Sequence, residues 1–291
     1  MKQTIKVVGA AIVREGKVLA LRRRSGIDSV KHKFEFVGGK IQDGESPEEA
    51  LKRECLEELS LKVKVGELLN RITYDYPEYM VDLSIYFCTA MTAYELREHE
   101  EEKWIDCEAL DPEEWAPADQ SALGVLKKGY LRITEAKSED DFALIGRLGA
   151  EVMHETFDKL VPDGQTDYML NMFLSVYAIK NNVSKRGYEY KLVSFNGETA
   201  GFYAYCPAHE YDPSRRDGVF LSKLYLAKFA QGKKIASRVF ASLPRPVLLT
   251  VKKDNAHAIN VYKHCGFRIV SGVMTDIGSG YVMDDFLMEL N

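Results

Sequence analysis

One stretch near the N-terminus restricts the fold of this chain more than any other. It reads Gly39, five residues, Glu45, then Ser46-Pro47-Glu48-Glu49, and further on Arg53-Glu54-Cys55-Leu56-Glu57-Glu58-Leu59-Ser60-Leu61. Ser46 is an N-cap type, Pro47 suits a first turn and Glu49 closes a capping box with Ser46, so a helix is predicted from Pro47 to about Leu59. Positions 54, 57 and 58 are then three and four residues apart and stack their carboxylates on one face. Ala50, Leu51, Cys55 and Leu59 give the opposite face something to bury. Like charges so placed repel, each pair costing a few tenths of a kcal/mol in an isolated helix, so their clustering points to a cation among them. Oxygen ligands with no His or Cys partner favour Mg²⁺ or Mn²⁺ over Zn²⁺. Arg53 can tie down one acid, and Glu45 can reach back from the loop. An E-x-x-E-E string taken alone would read as a solvated acidic face.

A length of 291 residues predicts about two domains. With 46% apolar and 29% charged residues the chain should fold by burial. The apolar run Val7–Val13 ends at Arg14, too short for a bilayer span or a convincing signal peptide, so no membrane partner is expected. The five cysteines are scattered without Cys-x-x-Cys spacing, which argues against a disulfide framework or a structural zinc site and for a reducing cytoplasm. The net charge of −5 lies mostly in the first 130 residues, and neither half has the basic footprint of a protein that binds duplex DNA or RNA. A small anion would need a metal, a helix N-terminus or a few placed arginines.

Ile5–Val13 and Val18–Leu21, joined by Glu15-Gly16-Lys17, predict a hairpin. Strands are expected at Val63–Asp75 and Val81–Thr92, and a closing helix over Ala118–Lys127. The boundary falls near Gly129, giving domains 1–128 and 130–291. Beyond it the expected order is strand Tyr130–Glu135, helices Ser138–Phe157 and Thr166–Ile179, and strands Glu189–Phe195, Thr199–Cys206 and Val219–Leu226. Helix Lys233–Leu243, strand Val247–Val251, helix Ala256–Cys265 and one last strand follow.

The spacing from Gly39 to Leu61 closely resembles the Nudix box, G-x5-E-x7-R-E-U-x-E-E-x-G-U with U aliphatic, matching at every charged position; Cys55 stands at one U and Ser60 replaces the final glycine. The resemblance implies an α/β/α sandwich with a mixed sheet, and hydrolysis of a nucleoside diphosphate linked to a group X. Glu54, Glu57 and Glu58, with the carbonyl of Gly38, are implied to hold Mg²⁺ (or Mn²⁺), with Glu57 or Glu58 orienting the attacking water and Arg53 completing the catalytic set. A further acid from the Glu98–Glu102 run is a candidate base or ligand. Phe34-Glu35-Phe36-Val37-Gly38-Gly39-Lys40-Ile41 and Trp115-Ala116-Pro117-Ala118-Asp119 look like the corresponding segments of MutT-like enzymes, with Val37 in place of a proline. Arg22, Arg23, Phe36 and Asp119 are thereby candidates for contacting a purine, and a nucleoside triphosphate, oxidised or not, is the first substrate class.

The second half carries two pieces with chemistry. Leu224-Tyr225-Leu226 runs through Ala227–Ala230 into Gln231-Gly232-Lys233-Lys234-Ile235-Ala236, a strand entering a helix whose unpaired N–H groups suit a pyrophosphate. Asn255-x-x-Ala258-x-x-x-Tyr262-x-x-x-Gly266-Phe267 follows at helical spacing. Together they resemble motifs A and B of the GNAT N-acetyltransferases, with Lys234 where that family has its first motif glycine. The resemblance implies a mixed, splayed, mostly antiparallel sheet flanked by helices, with acetyl-CoA between splayed strands. The amides of Gln231, Gly232, Lys233, Lys234, Ile235 and Ala236 would meet the pyrophosphate. Leu224 and Leu226 would pair with the pantetheine, Asn255 would position the cofactor, and Tyr262 would protonate the departing thiolate. The base for the acceptor amine is open among Glu155, His209, Glu210 and a water chain.

The expectation is thus a two-domain α/β (α+β) bifunctional enzyme, with a nucleotide substrate, acetyl-CoA and an unidentified amine acceptor as partners and a homodimer left open. The alternatives are that one domain is a silent ligand sensor regulating the other, or that the first half cleaves CoA or a sugar nucleotide.

Overall fold

The computed structural model describes residues 2–291 and divides into two compact units, one running through Arg132 with Ser194–Glu198, the other comprising Ile133–Val193 and Thr199–Asn291. The first unit opens with strands β1 (Thr4–Arg14) and β2 (Lys17–Arg22), which pair antiparallel around Glu15 and Gly16, both at positive φ as a tight hairpin turn requires. Two short strands, β3 (Phe34–Glu35) and β4 (Val37–Lys40), bracket the glycine turn and precede helix α1 (Pro47–Leu59). Strands β5 (Val63–Asp75), β6 (Met80–Ala90) and β7 (Glu101–Asp106) and helix α2 (Gln120–Lys128) complete the unit. The seven strands form one sheet in which β1 pairs parallel with β6 and antiparallel with β2 and β4.

Strand alternation decides which helix packs where. Val8, Ala10 and Ile12 of β1 face one way and bury with Ala50, Leu51, Cys55 and Leu59 of α1. Ala11, between them, faces the other way and buries with Leu83, Ile85, Trp115 and the α2 residues Ala122, Leu123 and Leu126. One helix on each face of a mixed sheet is the α/β/α sandwich that was expected. Helix α1 has the bounds that its signals predict. Ser46 accepts from the Glu49 N–H and Glu49 closes the capping box, while Ser60 ends the helix at φ 52 in the left-handed region that a glycine would occupy freely.

In the second unit β8 (Leu131–Glu135) is followed by α3 (Glu139–Phe157), α4 (Gln165–Leu174) and α5 (Val176–Arg186). The single helix expected over Thr166–Ile179 is therefore two, because Ser175 is extended and its hydroxyl accepts from the Ala178 N–H to cap a new helix. Strands β9 (Glu189–Phe195), β10 (Glu198–Pro207) and β11 (Val219–Leu226), helix α6 (Ile235–Ser242), strand β12 (Val247–Lys252) and helix α7 (Ala256–His264) come next. The last expected strand is a hairpin, β13 (Arg268–Gly278) and β14 (Tyr281–Leu290), which turns through Ser279 and Gly280 at positive φ. The sheet order is β13-β14-β12-β11-β10-β9-β8, and β11 and β12 are its parallel neighbours. Among the described residues no helix is long and apolar enough to cross a membrane.

Candidate functional site

In the first unit the acids of α1 meet β4. Gly38 pairs with Gly9 of β1, and a side chain on Gly38 would collide with the Val8 carbonyl. A side chain on Gly39 would run into the Glu54 carboxylate, so this glycine leaves the cradle in which that group sits. Arg53 organises three acids. Its Nε and Nη2 hold Glu45 at 2.8 and 2.9 Å, and its Nη1 lies 2.8 Å from Glu54 and 3.2 Å from Glu57. Nη2 also donates to the Lys40 carbonyl at 3.0 Å. Such a fork matches guanidinium geometry, which lysine could not supply.

Glu58 lies deeper. It accepts from the Gly38 N–H, yet burial and the neighbouring charges of Glu35, Glu54 and Glu98 push its carboxyl up to about 8. Its Oε2 is buried without a hydrogen-bond partner, as is Nδ1 of the buried His99 4.0 Å away. The other ring nitrogen of His99 is 3.0 Å from Glu35, whose second oxygen takes a 2.6 Å contact from Arg23. Glu35 and His99 were not foreseen as site residues. Glu35 needs the pairing of β3, and His99 hid in a run read only for its acids. Within that run Glu98 is the acid that Glu58 feels, whereas Glu101 and Glu102 belong to β7 and engage Arg22 and Tyr94.

The base-contact candidates separate. Arg23 faces inward to Glu35, while Arg22 is held by Glu101 at 2.7 Å and lies 4.1 Å from the Phe34 ring centre. Phe36 is buried with its ring 4.9 Å from that of Trp115, so its backbone N–H, and not its side chain, reaches Asp119 at 3.3 Å. Asp119 is itself buried, and burial together with Glu35 raises its carboxyl to about 8. At neutral pH it is mainly a protonated acid able to donate a hydrogen bond.

Donor chemistry fits a hard divalent cation. Glu58 carries a buried oxygen lacking a partner, Glu54 lies in its glycine cradle, and the helix face itself offers only carboxylate oxygens, with the His99 ring 4.0 Å from Glu58 as a nitrogen donor beside it. Among the described residues, however, no three His, Cys, Asp or Glu side chains already converge on one point, since Glu45, Glu54 and Glu57 are all drawn onto Arg53.

In the second unit the site is built by topology. β11 and β12 pair only at Val219–Val247 and Phe220–Leu248 and then diverge, while β11 stays paired with β10 as far as Leu226. The divergence leaves backbone groups of β11 facing a cavity of about 770 Å³. Leu224, Leu226, Gln231, Gly232, Lys234, Ile235, Ala236, Asn255 and Tyr262 all line it. Lys233 does not, so the six-residue amide cradle is expected to act without its side chain. Lys234 caps α6 at φ 59, adopting the left-handed conformation of a glycine, and the N–H groups of the first turn begin there. Asn255 caps α7 by accepting from the Ala258 N–H at 3.1 Å through its side-chain oxygen. Tyr262 packs near Phe240 and Phe267, and burial pushes its hydroxyl up to about 12. Glu155, His209 and Glu210 do not line the cavity; Glu210 sits 3.5 Å from Arg186 and 3.8 Å from His209. The cavity does contain Lys223 and Asp285, which sequence reasoning had not singled out.

Comparison with known proteins matches a different family to each half of the chain. A family model described as the NUDIX domain matches residues 4–128, and one described as the acetyltransferase (GNAT) family matches residues 150–267. An 8-oxo-dGTP diphosphatase of Haemophilus influenzae is 34% identical over 126 residues, which is 42% of this chain and 92% of that protein. An 8-oxo-dGTP diphosphatase of Escherichia coli is 26% identical over 123 residues, 42% of this chain and 95% of its own length. The solution structure of the DNA mismatch repair protein MutT, a Nudix hydrolase from methicillin-resistant Staphylococcus aureus, covers 44% of this chain and 98% of its own at 35% identity and a TM-score of 0.38.

Proposed function

The chain belongs to the Nudix family through residues 4–128 and carries a GNAT acetyltransferase domain over residues 150–267, and from that premise we propose a bifunctional enzyme, with one chemistry in each of the domains 1–128 and 130–291. The first domain hydrolyses a purine nucleoside triphosphate to the monophosphate and pyrophosphate. The second transfers an acetyl group from acetyl-CoA to an amine.

The observation that carries the hydrolase reading is the partnerless buried oxygen of Glu58 beside the cradled Glu54. Glu54, Glu57 and Glu58, with the Gly38 carbonyl, would hold Mg²⁺ or Mn²⁺, which supplies charge neutralisation of the phosphates and a lowered pKa for a bound water. Glu57, more than half exposed, would orient that water, and Arg53, 3.2 Å from it, fixes the spacing of the acids. Water oxygen bonds to phosphorus, the bond to the pyrophosphate oxygen breaks, and the water proton passes to a carboxylate. Asp119 and Arg23 would read the base, Asp119 as a donor and Arg23 as a cation behind Glu35. The substrate class agrees with the names of the two diphosphatases to which the domain is similar. Turnover of a nucleotide panel with Mg²⁺ tests this. Pyrophosphate release from purine triphosphates that falls about 10³-fold in Glu57→Gln is expected, and a variant matching wild type would refute the assignment.

For the second domain the diverging strands support the reading. An extended thioester arm can add to the free edge of β11 at Leu224 and Leu226, its pyrophosphate at the Gln231–Ala236 turn. The amine nitrogen bonds to the acetyl carbon, the carbon–sulfur bond breaks, and Tyr262 gives its proton to the thiolate. Because Glu155, His209 and Glu210 do not line the cavity, a water chain is the remaining candidate to remove the amine proton. Calorimetric binding of acetyl-CoA is expected in the wild type and is weakened in Asn255→Ala.

A further inference from the structure

Lys223 is not used by either chemistry described above. In β11 it lies opposite Ala204 of β10, next to a register shift at Ala204/Tyr205 that leaves Ser222 outside the pairing. Lys223 therefore faces the same side as Tyr225, whose ring meets Phe202 in the core beneath α3, α4 and α5. Its ammonium is placed 5.7 Å from the Phe173 ring centre and 6.0 Å from that of Tyr188. Among the described residues its one hydrogen-bond partner is the Ser222 hydroxyl at 3.0 Å, and it forms no ion pair. The nearest charged and titratable groups make the balance no better. Arg186 adds a like charge, and Cys206 and Tyr188 are buried and held above their ordinary pKa, so neither is an anion at neutral pH.

An ammonium set among rings without a counter-ion is costly, because a buried charge is tolerated when an opposite charge or several hydrogen bonds meet it. Burial, with the like charge of Arg186, holds this one down to about 8. Yet it lines the cavity, whose other charged residues are Lys234, Lys252 and Asp285. Asp285 lies across the cleft on β14, paired in register with Lys252. Three lysines against one acid make the cavity net positive as a whole, with Lys234 at the phosphate turn and Lys223 farther back along β11.

On the acetyltransferase reading of this domain, we propose that the acceptor is an amine that also bears a carboxylate, and that Lys223 is the residue that binds that carboxylate. One compact, singly charged cation flanked by ring faces matches a planar monoanion. The carboxylate would complete the counter-charge that the fold omits and hold the amine toward the thioester. Lys223 would be protonated in that complex, so it is a specificity residue and not the base.

The test uses matched acceptors that differ only in the carboxylate: glycine against methylamine, and phenylalanine against phenethylamine, with thiol release as the readout. Wild type should prefer the carboxylate member of a pair. In Lys223→Met the ratio of kcat/KM within each pair should fall about 10- to 100-fold, through KM, the range set by losing one charge-assisted contact. Lys223→Arg should restore part of it. Acetyl-CoA calorimetry on each variant reports whether the cleft is intact. A wild type that turns over the amines without carboxylates equally well, or a variant that keeps the preference, overturns the proposal. So does an acetyl adduct on Lys223 in intact-protein mass spectra. Independently of turnover, the NMR titration midpoint of the Lys223 ammonium in the CoA-saturated protein should rise in sodium acetate relative to sodium chloride at equal ionic strength. Equal midpoints contradict the assignment. A wild type that fails to bind acetyl-CoA would overturn the acetyltransferase reading as well, whereas binding without carboxylate preference overturns this inference alone.

Discussion

In the first domain the groups that face the site are side chains: Arg53, Glu54, Glu57 and Glu58 set by the spacing of one helix, with Arg53 cross-linking Glu54, Glu57 and the loop residue Glu45 within hydrogen-bond reach. In the second the cleft exists because two parallel strands stop pairing after two residues, which opens the edge of β11 and the start of α6 onto it. The first site is dense in charge and depends on a few atoms. The second is sparse, so that a single uncompensated lysine becomes conspicuous. A site made of side chains should fail steeply on one substitution, whereas a site made of backbone should fade gradually.

Substitution at the two sites sharpens that contrast. The largest effect expected is Glu57→Gln on hydrolysis, about 10³-fold in kcat, with acetyl-CoA binding unaltered. Arg53→Met comes next. It releases Glu45, Glu54 and Glu57 at once, and kcat for hydrolysis is expected to drop about 10- to 100-fold, as read from steady-state kinetics at saturating Mg²⁺. Gly39→Ala sets a methyl group against the Glu54 carboxylate and is expected to cost about 10-fold in the same assay. In the second domain Asn255→Ala removes the cap of α7, worth about 1 kcal/mol, and should weaken acetyl-CoA about 10-fold by calorimetry. A 10³-fold loss there would erase the contrast.

The last effect is on stability and not on rate or binding. Asp119 titrates near 8 when folded and in the ordinary carboxylate range when unfolded, so between those values the folded state binds more protons. Stability must therefore fall as pH rises from about 4 toward 8, and the loss is complete above 8. Asp119→Asn has no such proton to lose. Urea unfolding of the first domain's signal at pH 5 and pH 8 should show a smaller pH difference in the variant; an equal difference would mean that Asp119 is charged throughout.

How far the chain could be read in advance follows the same division. Helix α1 was legible to the residue because Ser46, Pro47 and Glu49 are local signals, and β5, β9 and β11 because their β-branched and aromatic runs are long. The break at Ser175 was missed because a serine inside an apolar periodic stretch reads as helix until its hydroxyl is seen to cap a new one. Strand β7 was missed because its acids resemble a surface loop, although pairing with β2 fixes them. The α1 acids could be named from spacing. Glu35, His99 and Lys223 could not, since each acquires its neighbours only through strand register.

The central claim is that the α1 carboxylates seat a divalent cation. Titration of Mn²⁺ into the protein, followed by electron paramagnetic resonance, measures this without turnover or nucleotide. Saturable binding is expected in the wild type, at least 10-fold weaker in Glu58→Gln and Glu54→Gln and unaffected by Asn255→Ala. Mn²⁺ that binds the wild type and both glutamine variants alike would contradict the account.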